Sequence, residues 1–163
     1  MDDNSGYFTL IDELAASFSP DPERLGALLG VALKRDPDAS GPIEEVWEGA
    51  SPEGQGPFES VMLRLPGAVS DSRQSTLSLQ LAQSRFVTRD TIVQRLGPDY
   101  AFRPPSPRYP AGAVPAYMTY DRPWGKLGFG VAADAEGELR EILLQIELPA
   151  APKPAEDEEE QDR

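Results

Sequence analysis

The stretch Ala116-Tyr-Met-Thr-Tyr-Asp-Arg-Pro-Trp-Gly-Lys-Leu-Gly-Phe-Gly-Val131, followed after a polar turn by Leu139-Arg-Glu-Ile-Leu-Leu-Gln-Ile-Glu147, decides the fold. Three short runs here alternate apolar and polar residues, the period of strands with one buried face. Leu127, Phe129 and Val131 point one way on the second run, and Ile142, Leu144, Ile146 and Leu148 on the third. Asp134-Ala-Glu-Gly137 supplies the last turn.

Upstream, Thr88 is placed to cap a helix, with Val87 and Ile92 set as a hydrophobic staple. Leu96-Gly97-Pro98 ends it, because glycine accepts a left-handed backbone and proline forbids continuation. Six of the eighteen residues from Pro98 to Pro115 are proline, which reads as an extended loop rather than an element.

The first half carries a similar order. Phe8, Leu10, Ile11, Leu14, Ala15 and Phe18 form one stripe on a helix that Pro20 ends. Asp21 caps a second helix with Pro22 at its first position. That helix is expected to run through Leu33, with Lys34-Arg35 at its negative end. Gly26 and Gly30 lie on one face of it and suit close packing against the sheet. A turn cluster at 36–42 follows, then strands at Ile43–Glu48, Phe58–Leu65 and Ser75–Ala82. Glu45 and Trp47 share a face with Ile43, while Glu44, Val46 and Glu48 take the other. Leu77, Leu79 and Leu81 point inward, with Thr76, Ser78 and Gln80 outward.

The expected fold is therefore α+β, with two tandem units of a helical region followed by a three-stranded antiparallel meander, and helices on one face of the sheet. Residues 1–84 form the first unit, and 85–148 the second, with the proline loop inside it. Residues 149–163 contain Glu156-Asp-Glu-Glu-Glu160 and almost nothing apolar, so this tail is expected to be disordered.

The formal net charge is −13, from 28 acids and 15 bases. Phosphate binding needs a basic surface, so nucleic acid is not an expected partner. A basic protein is, because opposite charge steers its encounter. The chain has no cysteine and no histidine. That removes disulfides, thiolate and imidazole metal ligands, and the usual neutral-pH general base. Lysine shows no Ser-x-x-Lys spacing, and the carboxylate pairs Glu44-Glu45 and Glu136/Glu138 read as solvated surface in so acidic a chain. No enzyme, cofactor or metal site is expected. Met1-Asp-Asp-Asn-Ser-Gly6 has no apolar run, and no stretch is long enough to span a membrane, so the expectation is a cytoplasmic protein.

From Thr88 onward the chain resembles the SmpA/OmlA-type small outer-membrane lipoproteins and their tandem relatives, the β-lactamase inhibitor proteins. The shared features are Leu96-Gly-Pro98, Ala116-Tyr-Met-Thr-Tyr120, Arg122-Pro-Trp-Gly-Lys-Leu-Gly-Phe129 and Glu136-Gly-Glu-Leu-Arg-Glu-Ile142. The resemblance implies a non-enzymatic binding domain in which helices back a sheet whose open face contacts a partner.

Two functions from different classes follow. One is an acidic immunity or inhibitor protein of bacterial type that occludes a basic toxin or enzyme. The other is an adaptor in an envelope or secretion assembly, docking through the acidic tail. In the first, Glu44, Glu48 and Glu59 steer the encounter and sheet aromatics anchor it. Trp47, Tyr117, Tyr120 and Trp124 are the candidate anchors. Trp47 and Tyr120 also suit the core, and Tyr117 and Trp124 divide between core and contact.

Overall fold

The computed structural model describes residues 3–16, 21–52, 58–71, 73–81, 87–110, 113–132 and 137–147. Three helices and eight strands form among the described residues. The helices are α1 (Asp3–Ala16), α2 (Pro22–Leu29) and α3 (Arg89–Leu96). The strands are β1 (Lys34–Arg35), β2 (Glu44–Gly49), β3 (Phe58–Pro66), β4 (Gln74–Leu81), β5 (Ala101–Arg103), β6 (Ala116–Arg122), β7 (Gly125–Val131) and β8 (Leu139–Glu147). All belong to one antiparallel sheet in the order β1-β2-β3-β4-β8-β7-β6-β5.

This arrangement corrects the expectation of two tandem units, each a helix and three strands. The fold is dominated by a single sheet, because β4 pairs with β8 over seven residue pairs, from Gln74–Glu147 to Gln80–Glu141. The cores merge accordingly. Leu63 and Leu77 from one half and Leu144 and Leu127 from the other lie in one cross-strand row, within one apolar cluster. The strand count differs as well. Lys34–Arg35, expected at a helix end, is an edge strand against β2, and Ala101–Arg103, expected in a loop, is the opposite edge against β6. Both are only two or three residues long and exposed, so neither shows the buried alternation that reveals a strand.

Local chemistry accounts for the boundaries. The Asp21 side chain accepts from Glu23 N at 3.0 Å and opens α2, and Gly30 closes it four residues earlier than expected. Gly30 sits at φ 72°, and its N–H, like that of Val31, donates to the Gly26 carbonyl. Gly26 does not pack on the sheet. A side chain there would collide with the Val31 carbonyl, so this glycine lets the chain fold back over its own helix. In α3 Thr88 accepts from Thr91 N, and Val87 and Ile92 are fully buried on either side of the cap. The stop at Gly97 has φ 99°, and the Gly97 N–H donates to Val93 O at 2.7 Å.

The helices cover one face of the sheet. Phe8, Ile11 and Leu14 of α1, Leu25 and Leu29 of α2, and Ile92 of α3 pack on Val61, Leu63, Leu77, Leu79, Leu127, Phe129, Ile142 and Leu144. Aromatic rings link the layers, with Phe8 and Phe129 centroids 6.3 Å apart and Phe129 edge-on to Tyr120 at 6.2 Å. Among the described residues no helix packs on the opposite face. Its central row mixes polar and apolar residues, mostly half-buried, and runs from Glu48 and Met62 through Ser78 and Leu143 to Gly128 and Thr119. No helix among the described residues is long and apolar enough to cross a membrane. Leu148 and the expected acidic tail, residues 149–163, lie outside the described residues.

Candidate functional site

The open face is organised around one buried carboxylate. Glu141 of β8 is 8% exposed, although its strand position turns it away from the core. Polar oxygens withdrawn from water are tolerated only when they find hydrogen-bond donors. Both oxygens of Glu141 do. Oε2 accepts from Ser78 Oγ on β4 at 2.5 Å, and Oε1 accepts from the Tyr117 hydroxyl on β6 at 2.6 Å.

The second bond crosses an entire strand. Tyr117 and Glu141 both pair with Gly130 of β7, from opposite sides. A side chain at Gly130 would sit 3.1 Å from Tyr117 Cε1 and 3.2 Å from Glu141 Cβ. The glycine thus leaves the space over which the phenol ring lies. Burial, then the hydrogen bond to Glu141, then the Glu141 charge raise the Tyr117 hydroxyl above its ordinary range, so it stays a donor at neutral and moderately alkaline pH.

Tyr117 and Glu141 wall a cleft of about 630 Å³ at one end of this face. Glu59, Glu138 and Arg140 add charge to its lining, and Gln80 and Pro115 complete its sides. Among the described lining residues three carboxylates stand with one guanidinium. Tyr117 also borders a smaller groove of about 230 Å³, lined by Arg103, Thr119, Lys126, Gly128 and Gln145. No group of three or more metal-ligating side chains occurs among the described residues.

The candidate residues divide between the two faces. Tyr117 and Glu59 come together in the cleft. Glu44 and Glu48 lie on the open face of β2, at the far side of the sheet, where Glu44 accepts a 2.7 Å ion pair from Arg64. Tyr120 is 3% exposed on the helix-covered face, and its hydroxyl donates to the Gly97 carbonyl at 2.8 Å, so it ties the sheet to the end of α3. Burial first, and then the neighbouring Tyr100, raise the Tyr120 hydroxyl above its ordinary range, with Arg122 opposing them. Trp47 is also on the helix-covered face, packed against the core, with its indole N–H donating to Glu45 at 3.3 Å. Trp124 sits at the tip of the β6–β7 hairpin and leans on the core. Trp47, Tyr120 and Trp124 therefore do not join Tyr117.

Ser78, Gly130 and Glu141, which build the centre, were not singled out as a site from the sequence. The outward positions of Ser78 and Glu141 follow from strand alternation, but their meeting depends on β4 lying beside β8, which no local pattern encodes.

Comparison of the chain with protein-family models, with curated proteins and with solved structures gives no match.

Proposed function

We propose that this chain is a non-enzymatic protein-binding module, an acidic inhibitor or immunity protein that occludes a basic toxin or enzyme with the open face of its sheet. The observation that carries this reading is the cleft beside Tyr117. Among the described residues Glu59, Glu138 and the buried Glu141 line it with one cation, Arg140, a balance that suits a lysine or arginine side chain. A rigid aromatic next to carboxylates is a common anchor for such a group.

The wider charge agrees. The net charge of −13 raises the local concentration of a basic partner and speeds its encounter. The resemblance of residues 88–148 to the inhibitor-protein family points the same way. Glu48 and Glu59 are exposed on or beside the same face and steer, whereas Tyr117 anchors.

The test starts with capture from the native host's lysate on the immobilised full-length chain. The captured protein is then purified and titrated. The reading expects a basic protein bound one to one, its activity blocked by the complex. Tyr117→Ala should weaken binding at all salt concentrations, and Glu59→Gln mainly slow association at low salt. An acidic partner, or a basic one whose affinity ignores both substitutions, overturns the reading.

A further inference from the structure

Strand β7 presents two successive open-face positions without a side chain, Gly128 and Gly130. The space at Gly130 belongs to the Tyr117 ring. No such reason holds at Gly128. Its φ is not positive, and a Cβ built on it would meet nothing closer than Leu143 Cβ at 3.5 Å, an ordinary contact. A glycine inside a strand forfeits packing. One that the fold does not require marks a place where something else approaches the backbone.

Above Gly128 lies the smaller groove of the open face. Arg103 of β5 stands at one end and Lys126 of β7 at the other, with Tyr117 and Leu143 between them. The Thr119 hydroxyl and the Gln145 amide can each offer a hydrogen into it. Among the described residues no carboxylate lines the groove, and Arg103 enters no ion pair. Lys126 holds Asp121 at 2.6 Å, but both side chains are more than half exposed, and such a pair exchanges partners at little cost. The chain around the groove is basic although the whole is acidic. Residues 87–132 hold six of the fifteen bases and only three of the 28 acids.

Sheet geometry sets the form of a ligand. Arg103 pairs with Tyr117, Tyr117 pairs with Gly130, and Lys126 lies four residues before Gly130 on the same strand. At ordinary strand spacing and rise their backbones are roughly 17 Å apart. The two long side chains close part of that distance from opposite ends. A single anionic group would leave one of the cations unengaged. The middle of the groove, bordered by Tyr117 and Leu143, suits a short apolar chain. A volume of about 230 Å³ is on the scale of a small organic molecule.

We propose that the groove over Gly128 is a binding site for a small organic dicarboxylate. Arg103 and Lys126 hold its two carboxylates, and its methylene chain lies over the bare strand between Tyr117 and Leu143. Charge-assisted hydrogen bonds at both ends supply the affinity, and Thr119 and Gln145 fix the orientation. The site is separate from the acidic cleft and meets it at Tyr117.

The probe is glutarate, titrated at constant ionic strength into the isotopically labelled full-length chain and followed by nuclear magnetic resonance. The Thr119 and Gly128 backbone amides and the Gln145 side-chain amide should shift saturably, with a dissociation constant on the order of 1 mM. Acetate should bind at least about tenfold more weakly, and pentanediol, the same chain without charge, should give no shift. Arg103→Ala and Lys126→Ala should each weaken glutarate binding about tenfold in a spectrum that stays dispersed. Gly128→Ala fills the floor and should weaken it by a similar factor, while the urea midpoint holds or rises because the strand accepts the methyl group. Arg64→Ala, which removes a cation from the other side of the same face, should leave the affinity unchanged. N-acetylglutamate N-methylamide carries the single carboxylate of a protein side chain. If it binds as tightly as glutarate, the groove reads an acidic residue of a protein, and the dicarboxylate is overturned. Shifts that never saturate, or that ignore Arg103, Lys126 and Gly128, overturn the site itself.

Discussion

The Tyr117 hydroxyl and the Glu141 carboxylate meet at 2.6 Å although a whole strand, β7, runs between their backbones. The bond closes a chain from Ser78 through Glu141 to Tyr117 that ties β4, β8 and β6 together on the face the helices leave open. Hydrogen bonds to a charged acceptor are the stronger kind, worth about 1.5–3 kcal/mol when dry, and Tyr117 is partly exposed. Tyr117→Phe should therefore lower stability by about 1–2 kcal/mol in urea unfolding. Ser78→Ala should cost a similar amount, and the double variant should exceed the sum of the two, because Glu141 then keeps neither donor. Strict additivity in the double-mutant cycle would show that the two hydroxyls act separately.

Gly130 is the structural condition for that bond. A methyl group there would already crowd Tyr117, Glu141 and Pro115 at 3.1–3.3 Å, distances at which each neighbour has to give way. Gly130→Val adds bulk where the phenol ring lies, and overpacking of this kind costs about 1–3 kcal/mol. The substitution should also free the Tyr117 hydroxyl. The readout is the ultraviolet titration of the tyrosines, in which one phenol should shift toward lower pH relative to the unsubstituted chain. An unchanged titration together with unchanged stability would mean that the ring does not need this space.

Alkaline pH probes the same bond from the other side. Tyr117 and Tyr120 both have hydroxyls raised by burial above the value of about 10 they hold in an unfolded chain. Below about pH 10 both states keep the proton, and the contribution to stability is complete. As pH rises further the unfolded chain releases protons that the folded chain retains, so stability falls toward the folded values. The protein should lose stability steadily above about pH 10. Tyr117→Phe should make that fall shallower without altering the slope between pH 6 and 9. A slope above pH 10 that ignores Tyr117 would rule out its perturbation.

Much of this architecture is legible in the sequence at the level of single elements. Leu77, Leu79 and Leu81, and Leu127, Phe129 and Val131, point into the core as their alternation requires. The caps at Asp21 and Thr88 function as their residue types predict. The sheet order was not legible, because the pairing of β4 with β8 joins residues from 61 (Gln80 and Glu141) to 73 (Gln74 and Glu147) positions apart, and alternation fixes a strand's faces but not its neighbour. The same gap hid the site. Ser78, Gly130 and Glu141 are an ordinary serine, glycine and glutamate until the register sets them in adjoining rows. Trp47 and Tyr120, named from the sequence both as candidate anchors and as residues suited to the core, occupy inward positions on their strands and pack in or against the core.

The continuity of the sheet has its own measurable consequence, and the two tryptophans are placed to report it. Trp47 stands on β2 near one edge, and Trp124 at the β6–β7 tip near the other, each packed on the single apolar cluster. Two independent units would unfold independently, whereas a sheet whose centre is the fully buried contact of Leu77 with Leu144 has no seam at which to part. Single-tryptophan variants, Trp47→Phe and Trp124→Phe, should each give one urea transition, with denaturation monitored by circular dichroism coinciding with fluorescence. Leu77→Ala should move both reporters together, by the ~2–5 kcal/mol that a buried leucine truncation costs. If the Trp47 signal shifted and the Trp124 signal stayed in place, the two halves would be separate cooperative units despite their shared strands.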